Sequence, residues 1–127
     1  MNVYILDHTA LAALGAGNRQ VSRIVRAVHD EPDWHVYVPS LCLVAAEAER
    51  RGVADHVGGL PAMEVVELGF AAASAVGWLV GGGVDWRFAH AVNTSRPTVD
   101  WPDGRPVITA EPDSYARWGV ATIALAN

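Results

Sequence analysis

Short apolar runs alternate along the chain with longer segments of helical periodicity. The runs that predict strands are 3–6, 35–38, 62–66, 106–109 and 120–125, and the segments that predict helices are 9–14, 18–28, 41–51, 70–80, 112–118 and one that begins at 84–85. Apolar residues three and four positions apart indicate a helix face, whereas short apolar runs bounded by turn residues indicate buried strands. Regular alternation of the two is typical of an α/β protein, so the sequence predicts a three-layer α/β/α sandwich with a central, mostly parallel sheet.

Acidic side chains follow the predicted strands or begin the predicted helices. Asp7 directly follows the first strand, Glu111 follows the fourth, and Asp85 begins a late helix. The helix after the second strand carries Glu47 and Glu49, which point about 200° apart on a helical wheel. Ligand sites in open α/β sheets lie outside the carboxyl ends of the strands, so we expect these acids to gather at that edge. Taken singly, each acid also has a structural interpretation as a helix cap or a solvated side chain.

Composition and charge narrow the functional classes. The chain has 127 residues and a formal net charge of −5, and all nine basic residues are arginine. The absence of lysine excludes a P-loop and a receiver-type phosphorylation site. The single cysteine, Cys42, lies in an apolar run and forms no internal disulfide or zinc motif. The most apolar stretch, 68–84, is shorter than the roughly 18–20 residues that span a bilayer, and no signal peptide is apparent, so we expect a cytoplasmic protein without a membrane segment.

A cluster of carboxylates implies a cation. Crowded carboxylates raise one another's pKa unless a positive charge neutralises them. Hard oxygen ligands suit Mg²⁺ or Mn²⁺, and one or two such ions can activate water for phosphodiester hydrolysis. The acids at the sheet edge therefore predict a metal-dependent hydrolase.

Four sequence segments, in order, resemble those of PIN domains, and in particular the VapC-type toxins of bacterial toxin–antitoxin pairs. They are Ile5-Leu6-Asp7-His8-Thr9-Ala10-Leu11, Val38-Pro39-Ser40-Leu41, Asp85-Trp86-Arg87-Phe88-Ala89-His90-Ala91 and Pro106-Val107-Ile108-Thr109-Ala110-Glu111-Pro112-Asp113. The resemblance covers nearly the whole chain and implies a single PIN-like domain over 1–127. It further implies a Mg²⁺- or Mn²⁺-dependent endoribonuclease that forms a homodimer and is silenced by a cognate antitoxin protein.

The resemblance also implies roles for particular residues. Asp7 would be the first metal ligand, supported by a hydrogen bond from Thr9. Glu47, Asp85 and Glu111 would be the second, third and fourth catalytic acids.

Two positions depart from the pattern of such toxins. The second acid usually follows the proline-led strand end sooner than Glu47 follows Pro39, so Glu49 remains an alternative. The fourth acid is more often aspartate than glutamate, so Asp113 is an alternative to Glu111. These departures motivate a second hypothesis, a PIN-like binding or regulatory module in which catalysis is weakened or lost. A third hypothesis, a generic α/β binding domain of the flavodoxin type, has no motif of its own in the sequence.

Overall fold

A computed structural model describes residues 2–126. Within this range the strands are β1 (Asn2–Leu6), β2 (Trp34–Pro39), β3 (Met63–Val66), β4 (Val107–Thr109) and β5 (Thr122–Ala124). The helices are α1 (His8–Gly15), α2 (Arg19–Asp30), α3 (Ser40–Glu49), α4 (Val53–Gly58), α5 (Phe70–Gly81) and α6 (Trp86–Ser95), followed by a 3-10 helix (Pro112–Trp118). None of them is long and apolar enough to cross a membrane.

The five strands form one sheet in the order β3-β2-β1-β4-β5, and every pairing is parallel. The predicted α/β fold is therefore confirmed. Strands covered on both faces must be apolar throughout. Accordingly, Ile5, Leu6, Val36 and Ile108 are completely buried in the inner strands. The edge strands β3 and β5 carry exposed residues, because each has a neighbouring strand on one side only.

The helices that lie near the carboxyl edge contact one another as well as the sheet. Helix α3 packs against α1, α4 and α6, and α5 packs mainly against α6. At the start of α3, the backbone N–H of Leu41 donates to His90 Nδ1 at 3.3 Å, because Pro39 at the N-cap position provides no side-chain cap. The Ser40 side chain does not cap α3, because Ser40 is already inside the helix.

Helix α4 was not expected from the sequence. Its N-terminus follows Gly52, which has a left-handed φ of 100° and offers no side-chain acceptor. The acceptor instead comes from the preceding helix: the Glu47 carboxylate receives the backbone N–H groups of Gly52 and Ala54, each at 2.9 Å. A cap supplied five to seven residues upstream lies outside the local pattern by which a helix start is recognised.

Candidate functional site

The position of β1 defines where a ligand site would be expected. The chain passes from β1 to β2 and β3 on one side, and later to β4 and β5 on the other. The strand order therefore reverses between β1 and β4, and crevices at such reversals, outside the carboxyl ends of the strands, are the usual ligand sites of open α/β sheets. Asp7 directly follows β1, and Thr109 ends β4.

Asp7 is fully buried at this point and is satisfied by groups of its own chain. Its Oδ1 accepts the Thr9 hydroxyl at 2.6 Å and the Ala10 backbone N–H at 3.0 Å. Its Oδ2 accepts the Tyr115 hydroxyl at 2.7 Å. Asp7 is thus the N-cap of α1. Three donors compensate the cost of burying a carboxyl group.

Thr9 joins the two sides of the strand reversal. Besides its bond to Asp7, its hydroxyl accepts the backbone N–H of Ala110 at 2.8 Å and lies 3.3 Å from the hydroxyl of Thr109. The Thr109 hydroxyl in turn accepts the backbone N–H of Glu111 at 2.9 Å. The segment after β4 is therefore fixed to the segment after β1 through two threonine side chains.

Asp85 lies at the solvent-exposed border of this site, which we call the rim. There it is the N-cap of α6. Its Oδ1 accepts the backbone N–H of Arg87 at 2.9 Å, and the guanidinium of the same residue binds both oxygens, at 3.1 Å from Nε and 2.9 Å from Nη2. The hydrogen bonds from the Arg87 side chain, and then from its backbone, lower the pKa of Asp85. Asp85 is therefore an ionised carboxylate held by an arginine of its own helix.

Arg87 also contacts Glu49. Its Nη1 is 3.4 Å from Glu49 Oε1, and the Asp85, Arg87 and Glu49 side chains are 44%, 39% and 47% exposed. Asp85, and then Glu49 and Glu111, raise the pKa of Arg87, and the first two of these acids contact its guanidinium directly. His8 Nε2 lies 4.0 Å from the same Glu49 oxygen.

An aromatic contact connects this rim to the buried Asp7. The Phe88 ring packs edge-on against His8 at 4.8 Å and against Tyr115 at 5.3 Å, and the Arg87 guanidinium lies 5.9 Å from its centroid. Burial, and then the charge of Asp7, raise the pKa of the Tyr115 hydroxyl, so it stays protonated and donates to Asp7.

Glu47 is the one sequence-predicted acid that the structure does not bring to this rim. Its carboxylate is used by the α4 cap, and the hydrogen bonds from Ala54, and then from Gly52, lower its pKa. Because Glu47 and Glu49 point about 200° apart on α3, only one of them can face Arg87, and it is Glu49 that does so. Of the two candidates for the fourth position, both Glu111 and Asp113 are exposed, and Glu111 directly precedes the 3-10 helix.

Glu47→Gln is expected to remove a pH-dependent part of the stability. A carboxyl group whose pKa is lowered by folding contributes its full stabilisation at pH values above its pKa in the unfolded state. This stabilisation is lost as the pH falls through its pKa in the folded state. The parent should therefore exceed Glu47→Gln in stability at neutral pH, and the difference should shrink below about pH 4.3, the ordinary glutamate value. Urea unfolding across this range measures it, with Glu67→Gln as a surface control. A difference independent of pH would contradict the assignment.

Three comparisons with known proteins bear on the fold. No family model matches the sequence, and no curated protein is significantly similar to it in sequence. Among solved structures, the chain is similar to one in the crystal structure of DNA-bound VapBC from Salmonella typhimurium, with a TM-score of 0.65 and 17% identity over 99% of this chain and 100% of that one. The chain shares its fold with a VapBC chain.

A second solved structure agrees. It is VapBC from Rickettsia felis, bound to a DNA fragment from the promoter, with a TM-score of 0.58 and 10% identity over 98% of this chain and 99% of that one. At these identities the likeness to VapBC concerns the fold, and the chemistry of the site has to be argued from its own residues.

The acids have the right chemistry for a hard divalent cation, but their arrangement does not fit one. Both Asp7 oxygens accept hydrogen bonds from the chain, and both Asp85 oxygens accept from Arg87. Within residues 2–126, no group of three or more histidine, cysteine, aspartate or glutamate side chains is arranged to hold a metal ion. The sequence analysis did not identify Arg87 and Tyr115 as residues of the site. For Arg87, its position two residues after Asp85 was the one feature of the sequence that indicated a contact.

Proposed function

We propose that this chain is the toxin-type member of a VapBC-like toxin–antitoxin pair, and that its sheet-edge site is that of a Mg²⁺- or Mn²⁺-dependent endoribonuclease in an impaired form. The observation that carries the proposal is that Asp85 and Glu49 share one guanidinium, that of Arg87, beside the strand reversal at Asp7. The two acids come from different helices, α6 and α3, yet their carboxylates meet at one guanidinium.

The impairment follows from what the carboxylates already bind. A site that takes up a divalent ion needs free carboxylate oxygens pointing at one position. Here the donors are Tyr115 for Asp7 and Arg87 for Asp85. With the chain's own donors bound to these oxygens, fewer carboxylate positions are open to a metal ion, so we expect RNA cleavage to be slow. In this proposal Asp7, Asp85, Glu49 and Glu111 form the site, and Glu47 supports it by holding α4 against α3.

The partners in this proposal are an RNA substrate, a cognate antitoxin and a second copy of the chain. Helix α5 supports the second copy: it carries no charged side chain, yet Phe70 and Trp78 on it are 94% and 76% exposed. Large exposed apolar surfaces mark interaction sites. In a two-fold interface the same patch meets itself, so an uncharged helix suits it because no like charges oppose each other. The VapBC likeness supports the antitoxin partner.

Asp85→Asn tests the nuclease part. Asparagine is as good a helix N-cap as aspartate, so the fold should be retained while the carboxylate charge is lost. We expect the parent to cleave RNA slowly with Mn²⁺, and cleavage by Asp85→Asn to fall at least about tenfold, which corresponds to about 1.4 kcal/mol of transition-state stabilisation. Gel analysis of a defined RNA over time is the measurement, with thermal melting to verify folding.

The matched control is Asp55→Asn, an acid of α4 without a side-chain partner among the described residues. It should leave cleavage unchanged. Cleavage that persists in Asp85→Asn, or that continues at the same rate when EDTA removes the metal, would exclude the proposed nuclease. A parent that cleaves no RNA under any metal would leave the binding-module hypothesis as the function.

A further inference from the structure

We propose that Arg87 is an internal cation that competes with divalent metal for the carboxylates at the rim. The inference rests on the proposed function, because it assumes that this edge is the metal site. It goes further by naming the group that closes the site and the change that opens it. In this proposal the Arg87 guanidinium and a divalent ion compete for the carboxylates of Asp85 and Glu49. Binding of one excludes the other.

The first argument is geometric. The guanidinium fork covers both oxygens of Asp85 at 2.9 and 3.1 Å, and its remaining terminal nitrogen reaches Glu49 at 3.4 Å. Bidentate arginine–carboxylate pairs are the strongest and most directional of such contacts. One side chain therefore occupies the oxygens of two acids that arise from different helices, α6 and α3.

The second argument concerns charge. A divalent ion entering among these acids would meet a fixed positive charge at a few ångströms, which repels it unless the arginine moves away. Without Arg87 the carboxylates of Asp85 and Glu49 would lose the guanidinium that both of them contact, and His8 Nε2 would remain 4.0 Å from Glu49. Carboxylates left in this state attract a cation from solution.

The third argument is that Arg87 can be replaced without dismantling the helix. Asp85 caps α6 through the backbone N–H of residue 87, at 2.9 Å, and this bond does not depend on the side chain. The guanidinium is 39% exposed, so its removal leaves no buried cavity. Arg87→Gln is therefore a fair test of charge rather than of folding.

The test is Mn²⁺ binding to the purified protein, measured by calorimetric titration and by loss of the free-ion signal in electron paramagnetic resonance. Neither readout depends on catalysis. We expect Arg87→Gln to bind Mn²⁺ at least about tenfold more tightly than the parent, since a unit charge next to a partly exposed site is screened but not abolished. The double variant Arg87→Gln with Asp85→Asn should lose this gain.

Two controls isolate the position of the charge. Arg96→Gln removes the same charge from the other end of α6, roughly 13 Å along the helix, and should leave Mn²⁺ affinity at the parental value. Arg87→Lys keeps a positive charge and should stay close to the parent. Equal Mn²⁺ affinity in Arg87→Gln and the parent, or a gain that survives in the double variant, would overturn the inference. Tighter Mn²⁺ binding by Arg87→Gln without any RNA cleavage would support it while counting against the nuclease.

Discussion

Replacing Asp7 by alanine is expected to lower the free energy of unfolding by about 3–5 kcal/mol. The change removes the acceptor of three hydrogen bonds, two of them from the hydroxyls of Thr9 and Tyr115. Asp7 is completely buried, so water cannot replace the missing acceptor, and each donor left alone costs free energy. Because domains of this size are stable by only about 5–15 kcal/mol, the loss should be obvious in urea unfolding followed by circular dichroism.

Tyr115→Phe provides the graded comparison. It removes one donor and leaves Asp7 with its bonds to Thr9 and Ala10, so its cost should be clearly smaller than that of Asp7→Ala. If Asp7→Ala costs less than about 1 kcal/mol, the hydrogen-bond network around this residue is not as described. The expected instability also explains why the nuclease test relies on Asp85: loss of activity in an Asp7 variant could not be separated from partial unfolding.

Gly104→Ala is expected to lower the free energy of unfolding by more than about 2 kcal/mol. Gly104 has φ of +75°, and a Cβ there would lie 2.5 Å from the backbone carbonyl oxygen of Ser95. That carbonyl already accepts the Arg105 N–H at 3.0 Å, and the Arg105 guanidinium donates to the Thr94 carbonyl at 2.7 Å. Relieving the clash would therefore pull the loop away from the end of α6.

Gly17→Ala is the matched control for Gly104→Ala. Its φ of +84° imposes a similar conformational cost, but no atom lies within 4 Å of the added Cβ. We expect this variant to lose only about 1 kcal/mol, the usual penalty of an L-residue in the left-handed region. Thermal melting of the two variants side by side separates the clash from the backbone strain. Equal losses would mean that the loop after α6 adapts freely.

The alternation of strands and longer helices could be predicted because most of these elements show their own periodicity, whereas α4, with six residues, was not predicted. The predicted strand ends put Asp7 and Glu111 at one edge of the sheet, because the carboxyl ends of parallel strands all lie at the same edge. The start of α6 was predicted for the same kind of reason, since Asp85 precedes an apolar face.

The contacts between side chains of distant elements could not be predicted. The pattern of the 3-10 helix does not reveal that Tyr115 reaches Asp7, since this depends on how the helix packs against α6 and β5. In the same way, the wheel of α3 separates Glu47 from Glu49 but does not say which of them faces α6. Local sequence reports which face of a helix is apolar, whereas the partner of a polar side chain depends on packing between elements.

The central position of β1 has a consequence for the time at which the acidic edge forms during synthesis. β1 is made first, but its neighbour β4 and the donor for Asp7 come near the end of the chain: the Tyr115–Asp7 bond spans 108 residues. At about 5–20 residues per second, roughly 5–20 s separate the translation of these two residues. Contacts so distant in sequence form late and slow the folding of parallel sheets. A ribosome-bound chain that ends before β4 therefore lacks both the strand reversal and the Tyr115 donor for Asp7, so the acidic edge can assemble only after β4 and the 3-10 helix have been made.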